Sequence, residues 1–140
     1  MTPKQKSEHR EFTDADFEAL TGMHKFYFEF LVKIGTFAAT GQAAIVALGG
    51  GRLSDEFQIR FVALGVAFLA TVASFVFFAS WIRLRELNGW VKSAREQLRV
   101  PWYPHTGTLP WMAVFFGMLN VASCVAAIVV FFNPADFAVK

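Results

Sequence analysis

Apolar positions gather in three long stretches separated by polar turns. The first, residues 24–50 (HKFYFEFLVKIGTFAATGQAAIVALGG), carries Glu29, Lys33 and Gln42 within an otherwise oily run. Residues 58–82 hold a single charge near their entrance, and residues 109–132 hold none. A bilayer core of ~30 Å is crossed by roughly 20 helical residues, so each stretch is long enough to span. The pattern predicts three crossings, about 28–49, 59–82 and 109–132.

The periodicity does not stop at the membrane. Phe17, Leu20, His24, Tyr27, Leu31 and Ile34 recur at alternating spacings of three and four, the seam of a helix packed along another helix. Leu84, Leu87, Val91, Ala94 and Leu98 repeat that spacing after the second span until Pro101 breaks it. Helical extensions over 14–27 and 83–100 are therefore expected on one side of the membrane. The expected fold is all-α, an integral membrane protein with three transmembrane helices, the first two extended into a cytoplasmic antiparallel coiled-coil hairpin.

Local signals mark the ends. Thr13 with Asp16 three residues on resembles a capping box with Asp in place of Glu, and Gly49, Gly50 and Gly51 stop the first helix. Ser54 or Asp55 is a candidate N-cap for the second, and Gly89 a candidate bend within it. Pro101, Trp102, Tyr103 and His105 suit a headgroup-level loop; Thr108 is then the expected N-cap of the third helix, with Pro110 in its first turn and Asn133-Pro134 at its end. Residues 1–12 read as a disordered tail, 13–140 as one membrane domain, and the residues after Pro134 as too short to fold. The polar, acid-containing N-terminus lacks a signal-peptide core, so the first span is expected to direct insertion.

Composition supports the membrane class. The chain has 140 residues, 55% of them hydrophobic, and 17 Phe, with a mean hydropathy of +0.42. A net charge of +2 gives no nucleic-acid signal. The basic residues instead divide by side: Lys4, Lys6, Arg10, Lys25, Arg83, Arg85, Lys92, Arg95 and Arg99 against Arg52, Arg60 and Lys140. The positive-inside rule then puts the N-terminus in the cytoplasm and the C-terminus outside an inner or plasma membrane.

Candidate chemistry lies in the polar groups of the spans. At 100° per residue, Glu29, Lys33, Thr36, Thr40, Ala43 and Ala47 share an arc of about 80° on the first helix. Phe30, Phe37 and Leu48 gather on one flank, and Leu31, Ile34, Ala38 and Ile45 lie opposite. Glu29 and Lys33 stand one turn apart in the order that favours an ion pair. They either snorkel and pair at the cytoplasmic interface or line a path. Gln42, Thr71, Ser74 and Asn120 share mid-membrane depth, where hydrogen bonds between helices are expected because lipid offers no partner. Small residues permit close helix approach: Gly35, Ala39, Ala43 and Ala47; Ala63, Ala67, Ala70 and Ser74; Ala113, Gly117, Cys124 and Ala127.

These features define function by exclusion and by surface. Nucleophile–base pairings, phosphate loops and metal spacings are absent from the sequence, and the glycine triplet lacks the Lys-Ser/Thr of a P-loop. His9, His24 and His105 all lie away from span centres, which disfavours a haem anchor, and Cys124 is an inert apolar thiol. No cofactor is implied. The expected function is that of a small non-enzymatic membrane protein acting through assembly, as a homo-oligomer or an accessory subunit of a larger membrane complex. The alternative is an oligomeric ion-conducting pore lined by the polar face of the first span.

Overall fold

The computed structural model describes residues 12–50, 55–100 and 108–137. The expectations for residues 1–11, Ser54, the 101–107 loop and the last three residues lie outside these. Helix α1 (Asp14–Gly50) opens as its sequence requires. Thr13 N and Oγ1 donate to Asp16 Oδ2 at 3.0 and 2.8 Å, and Asp16 N donates back to Thr13 Oγ1 at 3.2 Å. The shorter Asp thus closes the reciprocal cap that Glu usually makes.

Helix α2 (Glu56–Leu98) starts from Asp55, whose Oδ1 accepts from Phe57 N at 3.1 Å. It runs unbroken through Gly89 and closes at Arg99, which takes a left-handed φ of 54° and donates its backbone N–H to Arg95 O. Pro101 lacks the amide that a further helical turn would need. Helix α3 (Thr108–Phe132) includes Thr108 as its first residue, one position earlier than an N-cap there implies. Pro110 sits in the first turn, where a missing N–H costs nothing. The segment after α3 is not too short to fold: Pro134–Phe137 forms a 3-10 turn held by Asp136 N to Asn133 O, with Pro134 buried against α2 and α3.

All three helices are long and apolar enough to cross a membrane. Helix α2 is the middle element; α1 and α3 each run antiparallel along it and meet one another only narrowly. The seams are legible in the burial. On α2, Phe77, Ser80, Leu84, Leu87, Val91 and Ala94 are buried at alternating spacings of three and four. On α1, Leu31 and Ala38 are buried, and Phe17, Leu20, Tyr27 and Ile34 pack on the same cluster. That cluster extends beyond the spans, since Phe17 and Leu20 belong to it together with Leu87 and Val91. Even Phe12, placed in the tail by sequence, donates its backbone N–H to Gln97 Oε1 at 3.0 Å.

Within a bilayer, tails are as apolar as side chains, so close packing, rather than escape from water, holds such helices together. Glycines make the approach possible. A Cβ at Gly117 would lie 3.2 Å from the Phe78 ring, one at Gly41 3.1 Å from Leu69 Cδ1, and one at Gly65 3.4 Å from Ile45 Cδ1. Phe77, fully buried, stacks on Phe116 with centroids 5.6 Å apart.

Candidate functional site

The helix register fixes the depth of the polar groups. A Cβ on Gly35 would meet Phe77 Cζ at 3.6 Å, and antiparallel counting from that contact puts Glu29 level with Arg83 and Lys33 level with Ala79. Arg83 and Arg85 follow Trp81 directly, and the Arg85 guanidinium lies 5.2 Å above the Trp81 ring. Glu29 is therefore level with Arg83, and Lys33 lies one turn further along α1. Both are exposed, and no ion pair joins them among the described residues.

The mid-span polar groups are tied to one another. Gln42 Nε2 donates to Asn120 Oδ1 at 2.9 Å, bridging α1 and α3 where they meet, and Asn120 Nδ2 donates to Phe116 O at 2.8 Å. Ser74 Oγ, buried, reaches Gly117 O at 3.4 Å. Thr71 Oγ1 donates to Ala67 O at 2.8 Å and lies 3.4 Å from Cys124 Sγ. The residues that sequence assigned to one depth thus occur as three cross-helix contacts, with nothing resembling a nucleophile and its base. Cys124 is half-buried among them.

Other assigned residues lie elsewhere. Thr36 and Thr40 are exposed on the outer side of α1, Thr36 donating to Val32 O at 2.9 Å within its own helix. Gly35 and Ala67 are half-buried and Gly117 is buried, with Gly35 facing Phe77 and Gly117 facing Phe78. Ala39 and Ala43 differ: both are exposed among the described residues. The arc from Gly35 to Ala43 drifts away from α2 because a spacing of four gains about 40° per step on a helix of ~3.6 residues per turn. Gly41 and Gly65 make the closer contacts instead. Gly41 continues the three-four seam from Ala38 to Ile45, a signal already present in the sequence.

Beyond the level of Glu29, the α1 and α2 extensions enclose an open cleft of about 520 Å³ lined by Asp16, Leu20, Tyr27, Arg83, Glu86 and Trp90 among others. Arg83 Nη1 and Glu86 Oε2 pair one turn apart on its α2 side at 3.3 Å. His24 is half-buried on the seam. Among the described residues no three His, Cys, Asp or Glu side chains come together to hold a metal ion.

The architecture is all-helical, with three helices long and apolar enough to cross a membrane, as an integral membrane protein would have. No family model, curated protein sequence or solved structure matches the chain.

Proposed function

We propose that the chain is a non-enzymatic protein of an inner or plasma membrane that works by assembly, as a homo-oligomer or as an accessory subunit of a larger membrane complex. The observation that carries this is the outer side of α1. A helix that ends its contacts at lipid presents large apolar groups there, whereas this one presents Glu29, Lys33, Thr36, Thr40, Ala43 and Ala47, all exposed. The greasy side chains Phe37 and Leu48 stand to one flank of that line. A polar and small face within a span is suited to another protein.

The α1 and α2 extensions, which we take to pack as a cytoplasmic coiled coil, supply a second surface for a partner. Described basic residues favour that side for the cytoplasm, with Lys25, Arg83, Arg85, Lys92, Arg95 and Arg99 against Arg60. Native mass measurement of the purified full chain in lipid nanodiscs tests the proposal. A defined multimer, or one co-purifying subunit in fixed ratio, is the expected result; a lone monomer would sink it.

A second reading is an oligomeric pore in which the same face lines an ion path. Exposure of Glu29, Lys33, Thr36 and Thr40 on one line favours it. Against it, the deeper part of the face, Ala43 and Ala47, offers methyl groups where a wetted path needs polar ones. Ion flux in liposomes that Glu29→Gln or Lys33→Met abolishes would decide for the pore.

A further inference from the structure

We propose that a cleft at the end of the apolar stretch of α2 holds the phosphate of one anionic phospholipid, with Arg85 binding it and Trp81 positioning that arginine. The inference goes beyond the assembly reading and does not depend on it. Trp81 packs against the buried core cluster, and the Arg85 guanidinium lies 5.2 Å above its ring. An arginine stacked on an anchored indole is held in one place, while the N–H groups in its plane stay available to an anion. Arg85 has no ion-pair partner among the described residues, whereas Arg83 is paired with Glu86 at 3.3 Å. Glu86 also lines the cleft, and its pairing turns the carboxylate to Arg83 and leaves Arg85 to a ligand.

The surroundings select the ligand. The cleft has a volume of about 340 Å³ and is lined, among the described residues, by Trp81, Ile82, Arg85 and Glu86. That lies at the lower end of the roughly 300–1,000 Å³ of small-ligand clefts, room for a headgroup but not for acyl chains. An apolar surface continues from it along α2, where Ile82 is 55% exposed and Phe75, two turns deeper, 75%. From Arg85 to Phe75 the helix rises ~15 Å, half of a ~30 Å hydrocarbon layer and thus the depth of one leaflet. A ligand that matches both parts joins an anion to an apolar tail of that length. A phospholipid does so; a free phosphate or an acidic protein segment does not. Net charge narrows the class further, since a zwitterionic lipid already carries an ammonium for its phosphate and phosphatidylglycerol carries none.

Native mass spectrometry of the full chain in detergent micelles tests this, with dimyristoylphosphatidylglycerol, dimyristoylphosphatidylcholine and inorganic phosphate titrated separately. The expected result is a single phosphatidylglycerol adduct, roughly tenfold tighter than that of phosphatidylcholine, and no phosphate adduct. Arg85→Gln should weaken phosphatidylglycerol roughly tenfold and leave phosphatidylcholine unchanged. Arg85→Lys keeps the charge, loses the planar stacked fork, and should weaken it several-fold. Trp81→Leu should do the same, and Trp81→Phe, with a ring again beneath the guanidinium, should restore most of the affinity; equal losses in both would overturn the positioning role. Lys92→Gln removes an equal charge ~10 Å along α2, beyond the ~8 Å screening length at physiological ionic strength, and should change affinity less than about twofold. Arg85 and Lys92 are both exposed, so neither change disturbs the packing. Equal losses in Arg85→Gln and Lys92→Gln would overturn the site in favour of diffuse charge attraction. Equal binding of the two lipids, or of neither, would overturn it outright, and a phosphate adduct lost in Arg85→Gln without preference between lipids would mean a free-anion site instead. The same spectra count copies of the chain, so a lone monomer that still binds phosphatidylglycerol through Arg85 sinks the assembly reading and leaves this one standing.

Discussion

Gln42 and Asn120 face one another across the narrow meeting of α1 with α3, Nε2 of the first donating to Oδ1 of the second at 2.9 Å. Because Asn120 spends an amide hydrogen on Phe116 O, its oxygen is left to accept from Gln42, and the two side chains form a short chain of amides running from one helix into the backbone of the other. In hydrocarbon each of these groups would otherwise go unsatisfied, so the bond orients α1 about α2 as well as holding it.

A double-mutant cycle measures that bond. Asn120→Leu and Gln42→Leu, alone and together, are expected to show a coupling of ~0.6 kcal/mol and no more than ~2 kcal/mol in reversible unfolding in mixed micelles. Asn120→Leu should be the costlier single change, because Asn120 is buried and its loss leaves the Gln42 amide without a partner. Equal, additive effects would show that the two amides act separately.

Glycine-to-alanine changes should divide by sign. At Gly117 a Cβ meets the Phe78 ring at 3.2 to 3.4 Å on three atoms, so Gly117→Ala forces the ring to give and Gly117→Leu separates α2 from α3, at a cost of about 1–3 kcal/mol. At Gly22 and Gly89 a Cβ meets nothing within 4 Å, and both lie inside helices. Alanine at either is expected to stabilise by about 0.5–1 kcal/mol through helix propensity alone. The same micelle unfolding reads both signs.

The extensions should come apart without the spans. Val91 is 2% exposed and packs in the cluster that includes Phe17 and Leu20. Val91→Asp puts a carboxylate into that apolar seam, which costs several kcal/mol and opens the extensions. Limited trypsin digestion should then cut at Lys25 and Lys92 many times faster than in the parent chain, while residues 58–82 remain protected by lipid. Unchanged cutting would mean that the extensions do not hold one another.

Much of this fold is legible in the sequence because the bilayer removes alternatives. Length and oiliness identify the spans, since only a helix satisfies its own backbone in lipid. The three-four seams name the inward residues, Leu31, Ala38, Phe77, Leu84 and Val91 among them, since that spacing lies along one helix side whatever the solvent. What sequence does not supply is which small residues meet. Ala39 and Ala43 belong to a small-residue stripe as Ala63 and Ala70 do, yet the first two are exposed and the second two buried, because helix rotation is set by particular contacts such as Gly41 on Leu69 and Gly65 on Ile45. The partners of the mid-depth amides are likewise a product of three-dimensional placement: Gln42 meets Asn120 on α3, while the Ser74 hydroxyl of α2 turns to Gly117 O.

Orientation in the membrane gives a last prediction. One end of the structure bears Lys25, Arg83, Arg85, Lys92, Arg95 and Arg99, and the other bears Arg60, whose guanidinium lies 5.9 Å from the Phe131 ring. Basic residues flanking short loops resist translocation, so the first end is expected in the cytoplasm. With Cys124→Ala as background, Lys92→Cys and Asp136→Cys place single thiols on exposed sites at the two ends. In intact cells an impermeant maleimide should label Asp136→Cys at once and Lys92→Cys only after the membrane is opened. Labelling of both from outside would break the three-crossing layout itself, since the single crossing of α3 separates position 92 from position 136. Labelling of Lys92→Cys alone would leave the layout intact and turn the chain over, placing the extensions and their cleft outside.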